Sequence, residues 1–248
     1  MGHSLPQSTR PEPAKERAVL VIVAHPDDET LGAGGTIARL SVQNCPVHCL
    51  SLTNGTGARN CEPLAGKDRL AAFNDASSLL GVRSTATLEY EDQRLDHYPF
   101  LDLVQAVECW AAKFEPIAVL THSSSDLNLD HRIVCEVVAT AFRPYKFSCL
   151  SLIASFEINS TTELGTLIGR SFRPTMFVDI QESLPLKLKA MQRYESEIGS
   201  FPHPRSSDAL VAAARHRGIT MASQAAEAFE VLFLAGRKAE ALEALFAR

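Results

Sequence analysis

His25-Pro26-Asp27-Asp28-Glu29 sets an imidazole and three carboxylates side by side in one short stretch. Far along the chain, residues 122–131 offer His122, Asp126, Asn128, Asp130 and His131. Packing alone gives little reason for such groupings, because buried charge is costly unless it is paired or binds an ion. Imidazole and carboxylate without thiolate suit Zn2+, with Fe2+ or another divalent metal as the alternative. A two-histidine, one-carboxylate face also leaves coordination positions open. His25 and Asp28 are three residues apart, so a tight turn at Pro26 can aim both at one ion, and His131 would close the face. Asp27 then stands where a general base for an activated water belongs. The competing reading is that Asp28 and Glu29 merely complement the positive end of a following helix. That role requires neither the histidine nor a third acid.

The elements that must position these groups alternate. Residues 18–24 form a β-branched run suited to a strand buried on both faces, which points to a parallel sheet. The acidic stretch follows it and leads into a helix from about Thr30. Further strands are expected at 46–53, 85–90, 117–121, 150–156 and 175–180, with helices between them carrying apolar residues at helical spacing. The last third reads as helical over 184–198, 207–217 and 224–247. The predicted fold is α/β: a three-layer Rossmann-like domain with a mostly parallel central sheet and right-handed crossovers. With strand order 3-2-1-4-5, the first and fourth strands are neighbours and their loops face each other. That carboxyl edge is where open α/β sheets bind ligands.

Composition narrows the classes. The 248 residues are 46% hydrophobic and 21% charged, as in an ordinary globular domain. A formal net charge of −5 argues against an electrostatic nucleic-acid binder. No apolar run approaches the ~18 residues of a membrane span. Six cysteines are too sparse for a disulfide scaffold. The cluster Cys45-Pro46-Val47-His48-Cys49 has no second half for a zinc site and fits alternation along a strand. Residues 1–17 read as a flexible lead-in without the apolar core of a signal peptide, and 18–248 as a single domain, with a cytoplasmic location expected. Gly32, Gly34 and Gly35 fail the dinucleotide-binding pattern and fit close helix–sheet packing.

AHPDDETLGAGG followed by the distant DLNLDHR resembles the PIG-L (LmbE-like) de-N-acetylase family, whose hallmarks are an HPDDE-type segment and a later segment ending in Asp-His or His-x-x-His. KDRLAAFNDASSLLGV is similar to the family's arginine-bearing helix. EDQRLD, FEINSTTE, YESEI, HPRS and AEAFEV extend the likeness across about 18–234. The resemblance implies His25, Asp28 and His131 as zinc ligands, Asp27 as general base and acid, and Arg69 as a substrate-binding residue. Many relatives carry a histidine where this chain has Asn128. Asn128 can donate an amide N–H to an oxyanion but cannot supply a cationic imidazole, and His122 or His203 stand as alternative electrophiles.

The implied activity is removal of an acetyl group from an N-acetylglucosamine-type glycoside, nucleotide-sugar or conjugate, releasing acetate and a free amine. The rivals are hydrolysis of another acyl amide, and a non-catalytic module binding a nucleotide or sugar. The expected partner is a small-molecule amino sugar, with no nucleic acid and no membrane span; relatives' rings and dimers make a homo-oligomer an open prior. Asp130 is read as orienting a ligand histidine or capping a helix. Asp92, Glu157 and His203 are candidate sugar contacts. Against these stand a solvated loop for Asp92 and a strand-end turn for Glu157. Arg205, beside His203, is a further residue that could reach the cleft, and Ser206 or Ser207 a helix cap.

Overall fold

The structure, a computed structural model, describes residues 15–55 and 65–236. β1 (Glu16–Val23) leads into α1 (Asp28–Val42), β2 (Val47–Thr53), α2 (Ala65–Leu80) and β3 (Ser84–Tyr90). Next come α3 (Phe100–Ala111), β4 (Phe114–His122), α4 (Leu129–Ala141) and β5 (Leu152–Phe156). β6 (Met176–Asp179), α5 (Leu184–Met191), α6 (Ser207–Thr220) and β7 (Ala226–Leu234) complete the domain. The sheet order is β3-β2-β1-β4-β5-β7-β6. β1 to β5 run parallel, and β7 is antiparallel to both its neighbours.

Alternation along β1 explains why it lies at the centre. Val19, Val21 and Val23 enter one core, and Ala18, Leu20 and Ile22 enter the other. A strand apolar on both faces needs helices above and below, and these two cores are the result. Val47 and Cys49 of β2 share the first core, while Cys45 precedes the strand and packs against that core half-buried, so only the last two members of the alternation lie on the strand face. A Cβ on Gly32 would stand 2.1 Å from the Phe156 ring, and one on Gly35 2.7 Å from Ile180. These glycines let α1 approach the sheet closely. No helix among the described residues is long and apolar enough to cross a membrane.

Three expectations need correction. Glu16 and Arg17, expected in the lead-in, belong to β1; the rest of that expectation, residues 1–14, lies outside the described residues. The helix expected from 184 ends at Met191 and is followed by a one-turn 3-10 segment, Glu195–Glu197. The helix expected over 224–247 is β7 in its described part, while 237–248 lie outside the described residues. Alanine and glutamate favour a helix there by propensity, but a slot between β5 and β6 that buries Phe229 completely decides otherwise. Glu227 is tolerated in that slot because its carboxylate accepts from the Gly35 and Thr36 amides, the Thr36 hydroxyl and Lys187 Nζ.

Candidate metal centre

The turn after β1 is drawn tight by two hydrogen bonds. The Asp28 amide donates to the His25 carbonyl at 3.3 Å, and the His25 amide donates to Asp28 Oδ2 at 3.0 Å. Asp27 caps α1 in position only, at φ 116° and ψ −29°, without a side-chain bond to the helix. On the neighbouring strand, β4 ends at His122 and its loop runs into α4, whose N-cap Asn128 accepts from the Asp130 amide at 2.9 Å. His131, in the first turn of that helix, thereby faces the turn after β1.

His25, Asp28 and His131 converge. His25 Nδ1 lies 3.2 Å from Asp28 Oδ2, His131 Nε2 lies 3.3 Å from the same oxygen, and the two nitrogens are 3.3 Å apart. Ligands about 2.0–2.2 Å from zinc stand roughly 3.3–3.6 Å from one another in a tetrahedron, so this triangle fits one face of a tetrahedral site. All three residues are buried. On the far side of the ring, His25 Nε2 faces Asp92 Oδ1 at 3.0 Å and Asp130 Oδ2 at 3.3 Å. His131 Nδ1 lies 3.2 Å from Asp126 Oδ2, which also accepts from the Thr161 and Thr162 hydroxyls. Each imidazole therefore turns one nitrogen to the shared centre and the other to a carboxylate, the arrangement that fixes tautomer and ring orientation in metal sites.

The charges tell the same story. Burial opposes charge on His25, but Asp130, Asp28 and Asp92 hold it well above the ordinary imidazole range. Burial likewise opposes charge on His131, and Asp28 and Asp126 push it up to about 9. Asp28 is held well below the carboxylate range, against its burial, chiefly by His131. Two imidazolium protons thus balance this cluster of carboxylates, the charge that a divalent cation would bring. His122 is fully buried, stacked on His131 with ring centres 3.9 Å apart, and its Nε2 accepts from the Ala24 amide. Burial, with His131 nearby, pushes it down to about 4, so this neutral ring props the site from beneath.

Residues 20–142 match the family model described as PIG-L, GlcNAc-PI de-N-acetylase. This chain belongs to the PIG-L family. Over 195 residues it is 26% identical to a probable N-acetyl-α-D-glucosaminyl L-malate deacetylase 2 of Bacillus anthracis, covering 75% of this chain and 83% of the relative. The N,N'-diacetylchitobiose deacetylase structure from Pyrococcus horikoshii superposes with a TM-score of 0.70 at 25% identity, covering 88% of this chain and 84% of that one. GalB, the 4-carboxy-2-hydroxymuconate hydratase of Pseudomonas putida, shares the fold at 22% identity and a TM-score of 0.68, over 90% and 98% of the two chains. The PIG-L fold is therefore not tied to one reaction, and the site must carry the functional argument.

Beside this triangle, Asp27 is buried and its Oδ2 accepts from Arg69 Nη2 and Arg205 Nη1, both at 2.9 Å. Glu197 joins the two guanidiniums, at 2.6 Å from Arg69 and 3.1 Å from Arg205. Burial pushes Asp27 up to about 6, against the pull of the two arginines. Its Oδ1 is buried without a hydrogen-bond partner. Arg69 also donates to the Pro26 carbonyl at 3.1 Å, bracing the turn. Asp92, expected against sugar hydroxyls, is buried against His25 instead. Glu157 is not brought to the cluster, since Arg217 binds both its oxygens at 2.7 and 2.6 Å. His203 is exposed and accepts from the Arg205 amide, while Arg205 makes the reach to Asp27. Ser206 caps α6.

Asp126, Glu197 and Tyr194 carried no assigned role in the sequence reading. Asp126 was visible as one acid in a polar loop; Tyr194 and Glu197 stood only within the YESEI likeness, and their contacts across the fold were not legible there.

Proposed function

We propose that this chain is a zinc-dependent N-deacetylase acting on an N-acetylglucosamine-type amino sugar. The observation that carries the reading is the buried triangle of His25 Nδ1, Asp28 Oδ2 and His131 Nε2, with sides of 3.2–3.3 Å, beside a buried aspartate with one unpartnered oxygen. Membership of the PIG-L family and the deacetylase names of its relatives support the same chemistry. His25, Asp28 and His131 would hold the ion. When bound, a zinc ion lowers the pKa of a coordinated water and polarises an acyl oxygen.

Asp27 takes the proton from the attacking water and returns it to the sugar nitrogen as the C–N bond breaks, leaving acetate and an amine. Its Oδ2 is held by two guanidiniums, so Oδ1 is the oxygen assigned to carry that proton. A base poised near 6 is well matched to neutral operation. Asn128 spends its Oδ1 on the helix cap and one amide hydrogen on Gln93 Oε1. The second amide hydrogen is the donor we assign to the developing oxyanion. His122, sealed beneath His131, is a poorer electrophile than Asn128.

The test is to incubate zinc-loaded protein with N-acetylglucosamine, N,N'-diacetylchitobiose and N-acetylglucosaminyl conjugates, and to measure new primary amine and acetate. Both should appear in equal amounts and stop when a chelator removes the metal. A protein that binds zinc yet releases neither product from any of them contradicts the reading.

A further inference from the structure

An aspartate at a helix N-cap ordinarily accepts a hydrogen bond from the second or third amide of the helix. Asp27 does not; at φ 116° its carboxylate turns away to Arg69 and Arg205. For a residue bearing a Cβ such a conformation is strained, so the surroundings must impose it.

Glu29 supplies a restraint from the backbone side. Its side chain is completely buried, and Oε2 accepts from the Asp27 amide at 3.1 Å. Oε1 accepts from the Thr30 and Tyr194 hydroxyls, each at 2.6 Å. Tyr194 is itself buried, and it immediately precedes the turn Glu195–Glu197. Glu197 of that turn binds both arginines that hold the Asp27 carboxylate. One short segment, 194–197, therefore grips Asp27 twice: through Glu29 at its amide, and through two guanidiniums at its side chain.

We propose that Glu29 and Tyr194 are positioning residues, anchoring the Asp27 amide so that its carboxylate is kept off the helix cap and available for proton transfer. The proposal rests on the reading of Asp27 as the base. Neither residue touches the reacting atoms; both act through the Asp27 backbone. A merely space-filling role for Tyr194 would be satisfied by phenylalanine, and a merely structural role for Glu29 would show in stability without a selective effect on turnover.

The experiment compares wild type with Y194F, E29A and E29Q, reading kcat and KM on N,N'-diacetylchitobiose, bound zinc, and hydrogen exchange at the Asp27 amide by NMR. Misplacement by about 1 Å can cost 100-fold in rate. On that scale Y194F should lower kcat roughly tenfold and E29A roughly 100-fold, with KM and zinc content unchanged. E29Q keeps an oxygen for the Asp27 amide and should recover most of the E29A loss. Exchange at the Asp27 amide should quicken in Y194F. Wild-type kcat and exchange in Y194F would overturn the proposal, as would a kcat loss matched by zinc loss or by a rise in KM. If E29A fails to fold, Y194F decides. If wild type deacetylates nothing, amide exchange decides alone: faster exchange in Y194F upholds the anchor while the deacetylase reading falls.

Discussion

Two guanidiniums on one oxygen of a buried aspartate leave its other oxygen to do the proton chemistry. D27N should therefore keep its metal and lose about 10²–10⁴-fold in kcat, measured as amine release against bound zinc. Arg205 lowers the Asp27 pKa, so R205M should raise it further above about 6. The base works when deprotonated, so the acid limb of the rate–pH profile should move to higher pH in R205M; a limb that stays put or moves down contradicts the pairing. The triad makes its own pH prediction. His131 sits near 9 and His25 well above its usual range, and both must be neutral to bind an ion. Zinc binding should therefore release protons well above the ordinary imidazole range, and apparent affinity should tighten as pH rises toward about 9. Calorimetry in buffers of different ionisation enthalpy measures that release. At this scale the convergence of His25, Asp28 and His131 was legible because carboxylates and histidines were concentrated beyond what packing explains. Arg205 was legible as a neighbour of His203, but its partner was not, since nothing in HPRS says which side chain turns inward.

Helix α1 carries Asp28 at its start and follows the turn that holds His25 and Asp27, and two devices seat it. Gly32 and Gly35 clear space for Phe156 and Ile180, and the buried pair Lys187–Glu227, 2.6 Å apart, ties α5 and β7 to its backbone through the Leu31 carbonyl and the Gly35 and Thr36 amides. Removing one partner of a buried pair leaves an uncompensated charge, so K187M should destabilise the protein by about 3–5 kcal/mol in urea titration. The double variant K187M/E227L should recover part of that loss, whereas strictly additive losses would contradict direct coupling. The glycine cluster was legible as packing. β7 was not, because an Ala- and Glu-rich segment reads as helix until a slot in the sheet is known to await Phe229 and donors are known to await Glu227. Tyr194 was lost for a related reason: its value lies in a hydroxyl meeting Glu29 across 165 residues.

The whole molecule sets the site at the carboxyl ends of β1 and β4, adjacent strands whose crossovers lead in opposite directions. That much followed from the order of apolar runs, because parallel pairing and right-handed crossovers leave few topologies for such a series. The antiparallel β7 did not follow, being a tertiary choice against local propensity. Burial across the domain predicts thiol chemistry. Cys109 is exposed, whereas Cys49 and Cys135 are buried, with Cys135 pushed up to about 12 chiefly by desolvation. At pH 8, native protein should alkylate at Cys109 first among the described cysteines, with Cys49 and Cys135 protected until unfolding, as peptide mass spectrometry would show; early labelling of Cys135 would contradict the packing of α4.

The most direct measurement is metal stoichiometry by elemental analysis after zinc loading and gel filtration, for wild type and for H25A, D28A and H131A. The account predicts about one zinc per wild-type chain, with most of it lost in each variant although the protein stays folded by circular dichroism. A folded wild type that retains no zinc, or folded variants that retain a full equivalent, would contradict the claim that these three side chains form one metal site.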